Sequence, residues 1–184
     1  MPNLTPTLVA LIALAAPAAA QVDTTEVPRP PKAELARLDR FLGSYEHVGQ
    51  FYTGVGPFAG TLVVRPAIRG WYVEWIIETR HGPIDRELRM LTTWDERAKH
   101  YRTWRFETLP QSPTGTVEAK SWFEGSEFVM EWPDAEGPNG EHGPFRNRIR
   151  LDGPDELVIV SEAEPAPGKT VRLGVWRNRR MTSR

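Results

Sequence analysis

The sequence of 184 residues contains no cysteine. Without cysteine the protein cannot form a disulfide bond, use a thiol nucleophile or carry a lipid-modified N-terminal cysteine. Without disulfide bonds, the folded protein must be held together by its core alone. The length of the chain predicts a single folded domain.

A large excess of charge of either sign is also lacking, since the formal net charge is −1. No overall electric field favours a nucleic acid, and we expect no nucleic-acid partner. The segment 172–184 contains five Arg and no acidic residue. We interpret it as a solvated strand edge and tail, the alternative being a patch for anionic lipid or a protein partner. The sequence indicates no oligomeric state.

The N-terminal 20 residues contain no Lys, Arg, Asp or Glu. The apolar run from Leu8 to Ala20 is shorter than the roughly 20 residues that a membrane-spanning helix needs. Small residues at Ala18 and Ala20 fit a signal-peptidase site before Gln21. We therefore expect a signal peptide over 1–20 and a periplasmic or secreted protein without stable membrane insertion after cleavage. A disordered Ala-rich leader or a misassigned start codon is the alternative.

The rest of the chain divides into a polar, Pro-rich segment over 21–32, predicted to be a disordered linker, a domain over 33–180 and a tail over 181–184. The domain begins with an apolar stripe that predicts a helix of about three turns, ending at Gly43. The stripe consists of Leu35, Leu38, Phe41 and Leu42.

From Ser44 onward the hydrophobic pattern has a period of two residues, which is typical of strands with one buried and one wet face. Turn signals separate about ten such segments. The predicted strands start near Ser44, Gly60, Trp71, Ile84, His100, Thr116, Glu127, Phe145, Glu156 and Thr170. The predicted fold class is therefore all-β, an antiparallel barrel of about ten strands with a short N-terminal helix, or else a β-sandwich.

The passage from the helix through Gly43 to Tyr45 resembles the start of lipocalin-like (calycin-type) barrels, which open with a Gly-x-Trp signature. In those barrels an Arg of the last strand packs across the aromatic ring. The resemblance implies that Gly43, Tyr45 and Arg177 close the barrel here, with Tyr in place of Trp.

A closer resemblance is to a family of bacterial exported proteins, labelled a domain of unknown function, whose domain begins L-x-x-F-x-G-x-W-x-x-x-G. The matching residues are Leu38, Phe41, Gly43, Tyr45 and Gly49, followed by Arg65, Gly70 and Trp75. The start also looks similar to haem-binding barrels of the nitrobindin type. Their haem-ligating His lies near the C-terminal end, and no His follows His142 here. We therefore expect no cofactor.

The four His show no metal-ligand spacing, and no nucleophile elbow, P-loop or dinucleotide fingerprint is present. The sequence therefore predicts no metal site and no catalytic residue, and an enzyme working inside the barrel is only an alternative. His47 differs from the other His because it shares the parity of Tyr45, which is expected to face inward.

Seven Trp are the remaining signal, since large rings can either fill a barrel or line a cavity for a small, partly hydrophobic ligand. The preferred function is the binding of such a ligand. A filled barrel that acts as a structural or interaction protein of the cell envelope is the alternative. Candidates for the cavity are His47, Trp75, Trp94, Tyr101, Arg102, Trp104, Arg105, Met130 and Trp132. Parity does not decide which of Arg102 and Arg105 points inward.

Overall fold

A computed structural model describes residues 31–51, 57–81, 84–107, 117–136 and 142–182. The predicted signal peptide and all but the last two residues of the predicted linker lie outside the described residues. In the described part no helix is long and apolar enough to cross a membrane.

Ten strands form one closed antiparallel barrel, as the period-two pattern predicted. Each strand pairs with its neighbours in sequence, and the first strand pairs with the last. The strands are β1 (Gly43–Phe51), β2 (Phe58–Ala67), β3 (Tyr72–His81), β4 (Ile84–Asp95), β5 (His100–Glu107), β6 (Val117–Glu124), β7 (Glu127–Glu136), β8 (His142–Leu151), β9 (Glu156–Ala166) and β10 (Lys169–Arg180). The barrel has no unpaired edge, which removes the aggregation hazard of an open sheet.

The N-terminal helical segment differs from the predicted three-turn helix. It consists of α1 (Lys32–Ala36) and a separate 3-10 turn at Asp39–Phe41. The Phe41 amide donates to the Leu38 carbonyl at 2.9 Å. This hydrogen bond joins residues three apart, which is the spacing of a 3-10 turn and not of an α-helix. Leu38 and Phe41 are both 0% exposed.

This segment covers one end of the barrel. The Phe41 ring lies 5.8 Å from the Trp75 ring and 6.4 Å from the Phe128 ring, measured between centroids. The Tyr101 hydroxyl donates to the Glu34 carbonyl oxygen at 2.7 Å. We call the half of the interior that adjoins α1 and the 3-10 turn the capped half, and the other half the far half. The capped half is packed with aromatic and aliphatic side chains from both the strands and the helical segment.

On the outer face of strands β7 to β9, charged side chains cover buried valines. Val129, Val158 and Val160 point outward and are nevertheless buried. Arg148 is the cross-strand neighbour of both Val129 and Val160. Arg148 also forms ion pairs with Glu124, Glu127 and Glu162. The aliphatic stems of the arginines cover these valines while the guanidinium groups stay in water.

The aromatic ring at the start of β1 is covered by an arginine of β10, but the predicted arginine is wrong. Tyr45 is directly opposite Arg180 in the β1–β10 register, and the Arg180 guanidinium lies 4.9 Å from the Tyr45 ring centroid. Arg177 belongs to the outward row of β10, where its side chain is 60% exposed and pairs with Glu156 at 2.8 Å. The resemblance therefore identified the strand that supplies the arginine, but Arg180 and not Arg177 is the residue of β10 that faces Tyr45.

Arg180 also ties the helical segment to the barrel, because its Nη1 donates to the Leu42 carbonyl at 2.7 Å. The backbone of Gly43 passes directly beneath this guanidinium. A Cβ at Gly43 would lie 2.4 Å from Arg180 Nη1, and its φ of +149° favours glycine. Gly43, Tyr45 and Arg180 therefore form the closure of the capped half.

We predict that Arg180→Ala lowers the free energy of unfolding by about 1–3 kcal/mol, because it removes a stacked cation and a charged hydrogen bond. Arg177→Ala and Arg179→Ala are the matched controls from the exposed row of β10, and each should cost at most about 1 kcal/mol. Urea denaturation of the three variants measures the difference. Equal midpoints would contradict the closure described here.

Candidate functional site

The far half of the barrel contains charged side chains that point inward from β4 and β5. The β4–β5 register places Glu107 opposite Leu88 and Arg105 opposite Met90. The β3–β4 register places Arg86 opposite Thr79, on the same inward row. Since Leu88, Met90 and Thr79 are all buried inside the barrel, the three charged residues face the interior as well.

Glu107 is the centre of a buried ionic cluster, with a side chain that is 3% exposed. Its Oε1 accepts from Arg86 Nε and its Oε2 accepts from Arg105 Nη2. Burial lowers the pKa of the Arg105 guanidinium; Glu107 raises it and Arg86 lowers it. Desolvating three charged groups is costly, and a single carboxylate offsets that cost for two guanidinium groups only in part.

Two buried hydrogen-bond donors beside this cluster have no partner in the described structure, Arg105 Nε and Trp132 Nε1. The Arg105 guanidinium lies 5.9 Å from the Trp132 ring centroid, so the two side chains that carry these donors are adjacent. Trp132 is 1% exposed, and its ring packs on Phe145 with centroids 5.4 Å apart. Unpaired buried donors are rare because each costs about 1–3 kcal/mol.

In the capped half, the buried polar groups named below all have hydrogen-bond partners. Trp75 Nε1 donates to the Thr92 hydroxyl at 3.2 Å, and that hydroxyl is bonded to Thr103 at 3.0 Å. The Tyr45 hydroxyl donates to the Phe41 carbonyl at 2.8 Å. Tyr101 is bonded to Glu34, as described above. The unpaired donors are therefore a property of the far half, not of the barrel as a whole.

His47 projects into the interior from β1 and is fixed by Asn178 of β10. Asn178 Nδ2 donates to the Leu157 carbonyl at 2.8 Å, which leaves Asn178 Oδ1 as the acceptor for His47 Nδ1 at 2.5 Å. Burial lowers the pKa of His47, the hydrogen bond to Asn178 raises it, and the charge of Arg86 lowers it. The imidazole is therefore neutral at pH 7, with the proton on Nδ1 and an acceptor lone pair on Nε2.

Trp176 lies flat against the barrel wall. A Cβ at Gly49 would be 2.0 Å from Trp176 Cδ1, and a Cβ at Gly174 would be 2.9 Å from Trp176 Cη2. Only glycine at these two positions lets the ring lie along the wall. The ring thereby contributes apolar surface to the interior without crossing the barrel axis.

No protein-family model matches the sequence, and no curated protein matches it. Solved structures do resemble the barrel. Rv2717c from M. tuberculosis superimposes with a TM-score of 0.52 at 14% identity, over 80% of this chain and 97% of that one. The S-type phycobiliprotein lyase CPES from Guillardia theta superimposes with a TM-score of 0.51 at 12% identity, over 85% of this chain and 100% of that one. The chain has a lipocalin-like fold. At these identities the likeness concerns the fold alone.

The structure divides the predicted cavity residues into three groups. His47, Arg105 and Trp132 face the far half, and Trp132 also belongs to the continuous buried core. Trp75, Tyr101 and Met130 are inward-facing side chains of the continuous buried core, and Trp94 packs edge-on against Tyr101 at the capped end.

Arg102 and Trp104 lie outside the barrel, which corrects the expectation that they line the interior. Arg102 pairs with Glu118 at 2.6 Å, and its guanidinium lies 5.1 Å from the Trp104 ring centroid. They alternate with the inward residues Tyr101, Thr103 and Arg105, so Arg105 is the arginine of β5 that points inward.

The sequence reasoning missed Arg86, Glu107 and Asn178. Extending the period-two pattern by one step, from Leu88 back to Arg86 and from Arg105 on to Glu107, would have found the first two. No group of three or more His, Cys, Asp or Glu able to hold a metal ion occurs among the described residues.

We predict that Glu107→Gln lowers the free energy of unfolding by about 3–5 kcal/mol, because it leaves two largely buried guanidinium groups without a counter-charge. Glu118→Gln is the matched control, since Glu118 of β6 pairs with Arg102 of β5 on the outer face of the barrel. That change should cost less than about 1 kcal/mol. Urea denaturation at pH 7.5 compares the two, and equal losses would contradict the buried ionic cluster.

Proposed function

We propose that the protein binds a small, partly hydrophobic ligand in the far half of its barrel. The observation that carries the proposal is the pair of adjacent buried donors, Arg105 Nε and Trp132 Nε1, that have no partner in the described structure. A native protein satisfies nearly all its buried polar groups, and a bound molecule with acceptor atoms would satisfy these two.

The geometry of the barrel supports the same proposal. A closed sheet of about eight strands has an interior that side chains can just fill, and a sheet of ten strands encloses more space. In the capped half, Leu35, Leu38 and Phe41 of the helical segment enter this space and are buried there. Among the residues that the structure describes, no comparable segment enters the far half. A ligand would take the place of such a segment.

The inward side chains of the far half combine apolar walls with a few polar groups, which is the usual composition of a small-molecule site. Trp132, Phe145 and Trp176 provide aromatic surface. Arg86, Arg105 and His47 provide polar groups that would orient one end of a ligand. The described polar groups do not favour catalysis, because Glu107 is held by two arginines and His47 Nδ1 is held by an amide. If the leader is cleaved as predicted, binding would take place in the periplasm or outside the cell.

The proposal is tested with a neutral lipophilic dye, N-phenyl-1-naphthylamine, whose emission rises on transfer to an apolar site. We expect saturable uptake at one site per chain in the parent protein. Trp132→Ala should weaken uptake about tenfold, because an aromatic wall is lost. Trp94→Ala is the matched control at the capped end and should leave dye affinity within about twofold while lowering stability.

A folded parent protein that takes up no dye would mean that the barrel is filled. The ligand-binding function would then be abandoned in favour of a structural or interaction role in the cell envelope. Equal loss of dye affinity in Trp94→Ala and Trp132→Ala would contradict the placement of the site in the far half.

A further inference from the structure

We infer that the ligand of the far half carries a carboxylate head group, which accepts hydrogen bonds from Arg105 Nε and Trp132 Nε1. This inference rests on the proposed function and adds the chemical class of the ligand.

The charges that face the far half do not balance among the described side chains. Arg86 and Arg105 contribute two positive charges, Glu107 contributes one negative charge, and His47 is neutral. Each oxygen of Glu107 accepts from a different arginine, and Arg105 Nε makes no hydrogen bond to Glu107 in the described structure. Among the described side chains, one positive charge of this cluster therefore has no counter-ion of its own, and the partial burial of both arginines reduces its screening by water.

The two unpaired donors favour a carboxylate as the head group of the ligand. Arg105 Nε–H and Trp132 Nε1–H are both donors and neither can accept, so an alcohol or amide would use only its acceptor side here. A carboxylate has two oxygens that accept from two donors at once and supplies one negative charge. A phosphate ester brings more charge and more acceptors than the single uncompensated cation and two free donors call for.

The environment of Arg105 agrees with an anionic neighbour. Burial lowers the pKa of its guanidinium, Glu107 raises it only in part, and Arg86 lowers it further. A carboxylate placed against the Nε edge would oppose the effects of burial and of Arg86. The aromatic rings of Trp132 and Phe145 adjoin the same point and would contact the first carbons of the ligand.

The test compares four probes with the same twelve-carbon chain: dodecanoate, dodecanol, dodecyltrimethylammonium and dodecyl phosphate. Each displaces the neutral dye from the parent protein at pH 7.5. We expect dodecanoate to bind at least tenfold more tightly than dodecanol, and dodecyltrimethylammonium to bind more weakly than either. Dodecyl phosphate should not exceed dodecanoate.

Variants test whether Arg105 and Trp132 cause the preference for dodecanoate over dodecanol. Arg105→Gln should bring dodecanoate and dodecanol within about twofold of one another, with dye affinity largely kept. Arg105→Lys should retain part of the preference, and Arg102→Gln, on the outer face of the same strand, should retain all of it. Trp132→Phe keeps the ring and removes only the donor, so it should reduce the preference severalfold even if Arg105→Gln does not fold.

Equal binding of dodecanoate and dodecanol by the folded parent protein would overturn the head-group inference while leaving the proposed function in place. Tenfold tighter binding of dodecyl phosphate than of dodecanoate would overturn the assignment of a carboxylate. A preference that survives Trp132→Phe unchanged would remove Trp132 from the head-group site. Failure of the dye itself to bind would overturn the proposed function together with this inference.

Discussion

Closing ten strands into one barrel creates an interior that must be occupied along its whole length, and this constraint governs the rest of the structure. At the capped end the chain supplies the occupants itself. The helical segment breaks after α1 so that Leu38 and Phe41 can enter the barrel. Arg180 then holds the segment in place through the Leu42 carbonyl and the Tyr45 ring. The inward side chains of the far half include polar groups, two of which have no hydrogen-bond partner among the residues that the structure describes.

The ionic cluster of Arg86, Arg105 and Glu107 contributes little to the free energy of folding, because burying charged groups carries a large desolvation penalty. Apolar residues of similar size often give equal or greater stability than a buried ion pair. We propose that a bound molecule supplies one further acceptor. Its hydrogen bonds and charge would then offset part of the free energy lost when the arginines are desolvated. Trp75 differs from Trp132, because its indole N–H donates to the Thr92 hydroxyl. A buried indole in the packed part of this barrel therefore has a hydrogen-bond partner.

The strand pattern could be predicted from the sequence because one face of each strand is buried, which imposes a period of two residues. All ten predicted strand starts lie within three residues of the observed ones. The break between α1 and the 3-10 turn could not be predicted, since the spacing of Leu35, Leu38 and Phe41 fits a continuous helix equally well. The break arises from the depth at which Phe41 meets Trp75 and Phe128, which is a tertiary effect.

The errors at the site have a similar cause. Alternation groups residues into two rows but does not say which row is inside. The resemblance to lipocalin-like barrels implied Arg177 of the last strand, whereas the cross-strand register places Arg180 opposite Tyr45. Arg102 and Trp104 were ambiguous until cross-strand register fixed Arg105 opposite Met90. Arg86 and Glu107 were overlooked because charged residues are expected outside a barrel, whereas here they stabilise one another inside it.

We propose that a bound ligand places an acceptor beside Trp132 in the far half, whereas the indole of Trp75 in the capped half already donates to Thr92. The most direct measurement is a two-dimensional ¹H–¹⁵N NMR spectrum of the seven Trp indole groups, assigned by substitution, during titration with dodecanoate. We expect the Trp132 Nε1–H resonance to move downfield as it gains a hydrogen bond, and the Trp75 resonance to stay in place. Saturation of the protein without movement of the Trp132 resonance, or equal movement of both resonances, would contradict it.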